Sequence, residues 1–163
     1  MRLIAEKKAT KVLDACRDRN VMLATAESCT GGLIAAALTD IAGSADVVKC
    51  GFVTYSNEAK TQMIDVPAEL IKEKGAVSKE VAIAMAEGAL ARSQAGIAVA
   101  VTGIAGPGGG SLEKPVGLVH IACACDKEPT EHREFRFGDN PREENRHATV
   151  YAALDLILEV LEK

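Results

Sequence analysis

Three short stretches of this 163-residue chain carry side chains of the kinds that perform group transfer. The first is Ala26-Glu27-Ser28-Cys29-Thr30-Gly31-Gly32, which follows the apolar run Met22–Thr25. It precedes a segment of small and apolar residues, Leu33–Ile41. A serine at the turn from a strand into a helix meets unpaired backbone N–H groups and the positive end of the helix dipole. Its hydroxyl would have neighbouring amides ready to hold an oxyanion, and Gly31 and Gly32 would let a substrate approach closely. Ser28 or Thr30 could equally serve as a plain helix cap, the commoner fate of such residues. Cys29 is a rival nucleophile by type, yet His120, His132 and His147 all lie far from it in sequence.

A serine nucleophile needs a base, and the second stretch, Tyr55-Ser-Asn-Glu-Ala-Lys60, offers two candidates. A lysine buried beside a site loses solvation, and its pKa falls from about 10.4 toward neutrality. It could then take the serine proton, with the tyrosine hydroxyl relaying or orienting it. The spacing differs from the Tyr-x-x-x-Lys pair of short-chain dehydrogenases, and Gly31 stands where a Ser-x-x-Lys pair would need its lysine. A solvated lysine and a half-buried tyrosine would satisfy the same pattern.

The third stretch is the glycine-rich Thr102-Gly-Ile-Ala-Gly-Pro-Gly-Gly-Gly-Ser111. Its amides, free of side chains, suit a phosphate or a carboxylate. It lacks the Gly-Lys-Ser/Thr of a nucleoside-triphosphate loop, and it leads to Pro115 and a strand rather than to a helix, unlike a dinucleotide fingerprint. A flexible connection is the alternative. Arg142 and Arg146, four apart, share a helix face near the start of the last helix. A bound anion would offset the cost of cations at that end, although Glu143 and Glu144 could neutralise them instead.

The elements that must hold these stretches alternate in type. Residues 3–18 read as an amphipathic surface helix with Leu3, Val12, Leu13 and Cys16 near one stripe. Val47–Tyr55 reads as a strand, a short polar helix starts near Ser56, and another runs from Pro67 to Gly75. Ser78 is the expected cap of a Lys79–Ser93 helix. The run from Ile97 to Thr102 has no polar face until its end, as suits a strand covered on both sides. Val116–Cys125 and His132–Phe137 read as a hairpin. The last helix is expected to open with Asn140 as its cap and Pro141 as its first residue. These elements predict a layered α/β domain over residues 1–163, with helices on both faces of a mixed sheet and a ligand beyond the carboxyl ends of the strands.

Composition excludes other classes. A formal charge of −4, 3% aromatic residues and no tryptophan argue against nucleic acid or an anionic membrane as partner. Charges crowd residues 2–18, leaving no signal-peptide core, and the longest apolar run, around Gly96–Ala105, is too short to span a bilayer. The five cysteines are odd in number and form no Cys-x-x-Cys, with Cys123 and Cys125 expected as small core residues. A cytoplasmic protein is expected.

Taken together and in this order, the three stretches resemble the CinA carboxy-terminal domain family, and the resemblance extends across nearly the whole chain. It implies a three-layer α/β/α sandwich with a mixed central sheet and a nicotinamide-nucleotide amidohydrolase activity. That activity converts nicotinamide mononucleotide to nicotinate mononucleotide and ammonia in pyridine-nucleotide salvage, with a small-molecule nucleotide as partner and no cofactor or metal. It implies Ser28 as nucleophile, Lys60 as general base and Tyr55 as its hydroxyl partner. Substrate contacts are implied for Thr30, Gly31, Gly32, Thr102, Gly103, Gly106, Gly108 and Arg142. A homo-oligomer, a dimer, is implied too, in a stand-alone form without the amino-terminal domain of the larger competence/damage-inducible proteins. A catalytically silent nucleotide-binding module and a Ser/Lys amidase for another small amide are the alternative readings.

Overall fold

The structure, a computed structural model, describes residues 2–163. Helix α1 (Arg2–Arg19) leads into strand β1 (Leu23–Glu27), helix α2 (Leu33–Thr39), a single 3-10 turn at Ser44–Asp46 and strand β2 (Val48–Val53). Three helices follow, α3 (Asn57–Ile64), α4 (Ala68–Lys74) and α5 (Lys79–Ser93). Strands β3 (Ile97–Gly103), β4 (Leu118–Cys125) and β5 (Glu131–Arg136) precede the long helix α6 (Arg142–Leu161).

The sheet order is β2-β1-β3-β4-β5. Strand β1 pairs parallel with β2 and β3, whereas β3–β4 and β4–β5 are antiparallel, so the sheet is mixed as the hairpin implied. Side chains alternate across it. Ala24, Ala98 and Ala124 align in one row across β1, β3 and β4, and Ala26, Ala100 and Ala122 in the next. This alanine face packs with Ile64 of α3, Ile71 of α4 and Val81, Met85 and Ala86 of α5. The opposite face presents Leu23, Ile97, Val99, Val101 and Ile121 to α1, α2 and α6. Three layers result, the α/β/α arrangement expected. Among the described residues no helix is long and apolar enough to cross a membrane.

Ser78 caps α5 as expected, its hydroxyl accepting from the Val81 amide at 3.2 Å. Several boundaries differ. The strand expected to reach Tyr55 stops at Val53, and the Thr54 amide then donates to the Glu27 carbonyl. Asn140 does not cap the last helix, because Pro141 occupies the cap position in an extended conformation. The Asn140 amide donates to the Phe137 carbonyl and the Asn145 side chain instead. Where α5 crosses the end of α3, a Cβ at Gly88 would lie 1.8 Å from the Ile64 carbonyl oxygen, so only glycine permits this approach.

Candidate active site

The turn after β1 is held from three sides. The Glu27 carboxylate, 1% exposed, accepts from the Thr30 hydroxyl (2.5 Å) and from the Ile34 and Ala35 amides (2.9 and 3.1 Å). A carboxylate over the first amides of α2 satisfies their unpaired N–H groups and complements the dipole. Glu27 therefore does the capping that Ser28 or Thr30 was expected to do, and the serine hydroxyl is left for other work. The Ser28 amide donates to the Val101 carbonyl, fixing the residue to β3 (3.2 Å). Gly31 and Gly32 take left-handed conformations (φ +59° and +109°) that turn the chain into α2 at no steric cost. From α6, Arg146 donates through Nε to the Cys29 carbonyl and through Nη2 to the Thr30 carbonyl, each at 3.1 Å.

Lys60 arrives from α3. Ser56 caps that helix by accepting from the Ala59 amide, which sets its entry angle. The lysine is 1% exposed, and its Nζ donates to Ser28 Oγ at 3.0 Å. The Thr54 carbonyl (3.0 Å) and the Tyr55 carbonyl (3.4 Å) accept its other two N–H bonds. These partners are neutral, and burial lowers the Lys60 pKa below the ordinary 10.5. A neutral Lys60 could keep two N–H bonds to the carbonyls and turn its lone pair on the serine proton. Burial acts the opposite way on the Cys29 thiol, raising it to about 11, so this neighbour stays protonated and unreactive.

The Tyr55 side chain is placed differently from the expectation. It is 61% exposed, and its hydroxyl accepts from Arg142 Nη2 at 3.0 Å rather than meeting Ser28 or Lys60. Arg142 Nη1 donates to the Gly106 carbonyl at 2.8 Å, so the arginine ties the tyrosine to the base of the glycine loop. Between them opens a cavity of about 220 Å³, lined among others by Ser28, Tyr55, Lys60, Thr102, Gly103 and Arg142. It lies at the carboxyl ends of β1, β2 and β3. The Thr102 hydroxyl donates across it to the Ala76 carbonyl at 2.9 Å.

The remaining expected residues lie elsewhere. Thr30, Gly31 and Gly32 are outside the cavity lining, turned toward Glu27 and Arg146. The Gly31 amide is already given to the Ser28 carbonyl (3.1 Å), so it is not free for an oxyanion. Gly106 contributes its carbonyl to Arg142, and Gly108 lines a separate open hollow of about 490 Å³ with Arg136 and Asp139. Sequence reasoning missed Glu27 and Asn145. Asn145, buried, donates to the Ala105 and Gly138 carbonyls and so ties the glycine loop to α6. A polar residue in a first helical turn ordinarily reads as solvated, and no spacing marked it. Arg146 was noticed for an anion and instead holds the serine turn.

This is an α/β protein with a buried serine–lysine pair at the ends of parallel strands, a class defined by geometry alone. The chain belongs to the CinA C-terminal domain family, whose model matches residues 5–161. A CinA-like protein of Geotalea uraniireducens is 53% identical over 146 residues, covering 90% of this chain and 34% of that protein. A CinA-like protein of Synechococcus is 49% identical over 150 residues, with 91% and 36% covered. The chain thus spans about a third of the length of these curated relatives. It covers 98% of itself and 96% of the crystallised competence/damage inducible protein CihA of Agrobacterium tumefaciens, at 53% identity and a TM-score of 0.94. A CinA superfamily protein from Klebsiella pneumoniae superposes with a TM-score of 0.92 at 36% identity, covering 97% of this chain and 98% of that one.

Proposed function

We propose that this chain is an amidohydrolase that cleaves the carboxamide of nicotinamide mononucleotide to nicotinate mononucleotide and ammonia. The observation that carries the reaction class is the 3.0 Å contact between Lys60 Nζ and Ser28 Oγ, made by a lysine whose burial favours the neutral amine. The substrate comes from the family resemblance of the three motifs. Ser28 Oγ attacks the carboxamide carbon while Lys60 accepts its proton, and the carbonyl electron pair moves to the oxygen. Collapse of that intermediate breaks the C–N bond, and Lys60 returns the proton to the departing ammonia. Water, deprotonated by Lys60, then attacks the acyl carbon, and the proton passes from Lys60 to Ser28 Oγ as the ester bond breaks. Arg142 at the cavity mouth supplies a cation for the nucleotide phosphate. Its hold on Tyr55 makes the tyrosine part of that mouth rather than of the proton path.

The test is ammonia release from nicotinamide mononucleotide by the wild type, Ser28→Ala and Lys60→Ala. Turnover in the wild type alone is the expected result, and a fully active Ser28→Ala protein would overturn the mechanism. Nucleotide binding by a wild type that releases no ammonia would make the chain a binding module instead. Release from simpler amides that lack the phosphate would make it a different amidase.

A further inference from the structure

Ser28 can be caught by a base only if the turn that carries it keeps one shape, and a single side chain from the far end of the sequence spans that turn. Arg146 Nε and Nη2 donate to two successive carbonyls, those of Cys29 and Thr30. We propose that Arg146 is a positioning residue for the Ser28 nucleophile, acting through these two carbonyls and not through the substrate. The inference rests on the serine–lysine reading and adds to it the group that sets the serine.

Each peptide unit is planar and trans, so a carbonyl drawn toward the guanidinium turns the following amide away from it. Arg146 thereby aims the Thr30 and Gly31 amides to the side opposite itself. The Gly31 amide completes the turn on the Ser28 carbonyl. The guanidinium also lies close against the turn: a Cβ at Gly31 would stand 3.4 Å from Arg146 Nη2. With Glu27 below and Val101 beside, Arg146 supplies the third side of the cradle. Two acceptors one residue apart require a planar fork of donors. An ammonium presents a point charge with no such fork, so lysine can serve one carbonyl well or both poorly. Arg146 lies outside the cavity lining, which separates it from Arg142 at the mouth.

The test compares wild type, Arg146→Lys and Arg146→Ala in two readouts. The first is steady-state ammonia release from nicotinamide mononucleotide, resolved into kcat and KM. A displacement of about 1 Å in a reacting group can cost roughly 100-fold, so kcat is expected to fall by about that factor in Arg146→Ala with KM within about threefold. Arg146→Lys should fall between, and added guanidinium should partly restore Arg146→Ala. The second is the rate at which diisopropyl fluorophosphate labels Ser28, a step in which the Oγ–P bond forms, the P–F bond breaks, fluoride leaves and Lys60 takes the proton. Labelling needs no nucleotide, so it still decides the role of Arg146 if the nucleotide proves to be the wrong substrate. Labelling and kcat equal to wild type in folded Arg146→Ala would overturn the proposal. So would a loss confined to melting temperature, or one in which KM rises and kcat holds. A wild type that neither labels nor turns over removes the nucleophile and its positioning residue together. If Arg146→Ala does not fold, the Arg146→Lys comparison decides by the same criteria.

Discussion

Ser28 and Lys60 reach one cavity from opposite faces of the sheet, and the two faces are built on different principles. The face under α1, α2 and α6 is filled by interlocking branched side chains, Leu23, Ile97, Val99, Val101 and Ile121 among them. It anchors the serine turn through α2 and Arg146. The face under α3, α4 and α5 is paved with alanines in register, and close approach replaces interdigitation. It anchors Lys60. A close-packed interior penalises a lost methyl on the first face, which leaves a cavity, and an added one on the second, which must displace its neighbours.

The largest effect should come from removing the lysine itself. Lys60→Met is expected to lower ammonia release roughly 100- to 10,000-fold, the usual worth of a general base. Its melting temperature should move little, since the lost ammonium hydrogen bonds and the relieved desolvation oppose each other. As the base of the proposed reaction, the same lysine should make wild-type activity rise with pH through its lowered pKa, a limb that a pH–rate profile should show and Lys60→Met should lack.

The comparison between faces is broken next by a matched pair of substitutions. Ile121→Ala should cost about 2–5 kcal/mol in denaturant unfolding by opening a cavity. Ala100→Leu, on the other face, should cost about 1–3 kcal/mol by overpacking. Ala100 pairs with Ala26 in register, close to the serine turn, and lies under the α5 layer that carries α3. Activity per folded molecule should therefore fall further for Ala100→Leu than for Ile121→Ala. Equal losses would mean that the alanine face does not set the lysine.

The smallest effect concerns the edge of the alanine face. His120 Nδ1 and His132 Nε2 lie 3.0 Å apart with stacked rings, a contact that requires at least one neutral ring. Burial lowers both pKa values below 6.5, and the pair of rings lowers that of His132 further. Glu134 and Glu80 favour the charged form of His120, whereas Lys114 and Arg136 oppose it. For His132, Lys79 and Arg133 oppose the charged form and Glu134 favours it. The unfolded chain thus binds more protons, so stability is retained above about pH 6.5 and declines as the pH falls below it. Melting temperatures across that range should show the decline, and His132→Phe should flatten it.

Much of this architecture was legible. The Ser78 cap, the hairpin and the mixed sheet follow from local signals that the tertiary structure did not override. The alternation of alanine and valine from Ile97 to Val101 was also in plain view, yet it reads as uniformly apolar until the two faces of the sheet are known to meet different sets of helices. At the site, residue types pointed to Ser28 and Lys60, and the three-dimensional path of α3 brings them together. Glu27 was hidden because a carboxylate beside a strand end reads as exposed until α2 is folded over it. Tyr55 misled for the opposite reason, because its motif neighbour, Lys60, is met by its backbone carbonyl while its ring points to Arg142.

Gly88 touches neither the serine nor the lysine, yet it acts as a spacer gauge for both. Helix α3 can settle no nearer to α5 than the Ile64 carbonyl allows, and the missing methyl at Gly88 is the clearance that sets this limit. The reach of Lys60 toward Ser28 is then a machined tolerance, cut into the back of the molecule one helix away from the chemistry. Tuning such a site need not begin in its cavity. A designer who wished to lengthen the proton's path by a fraction of an ångström would shim the helix joint and leave the reacting residues as they are.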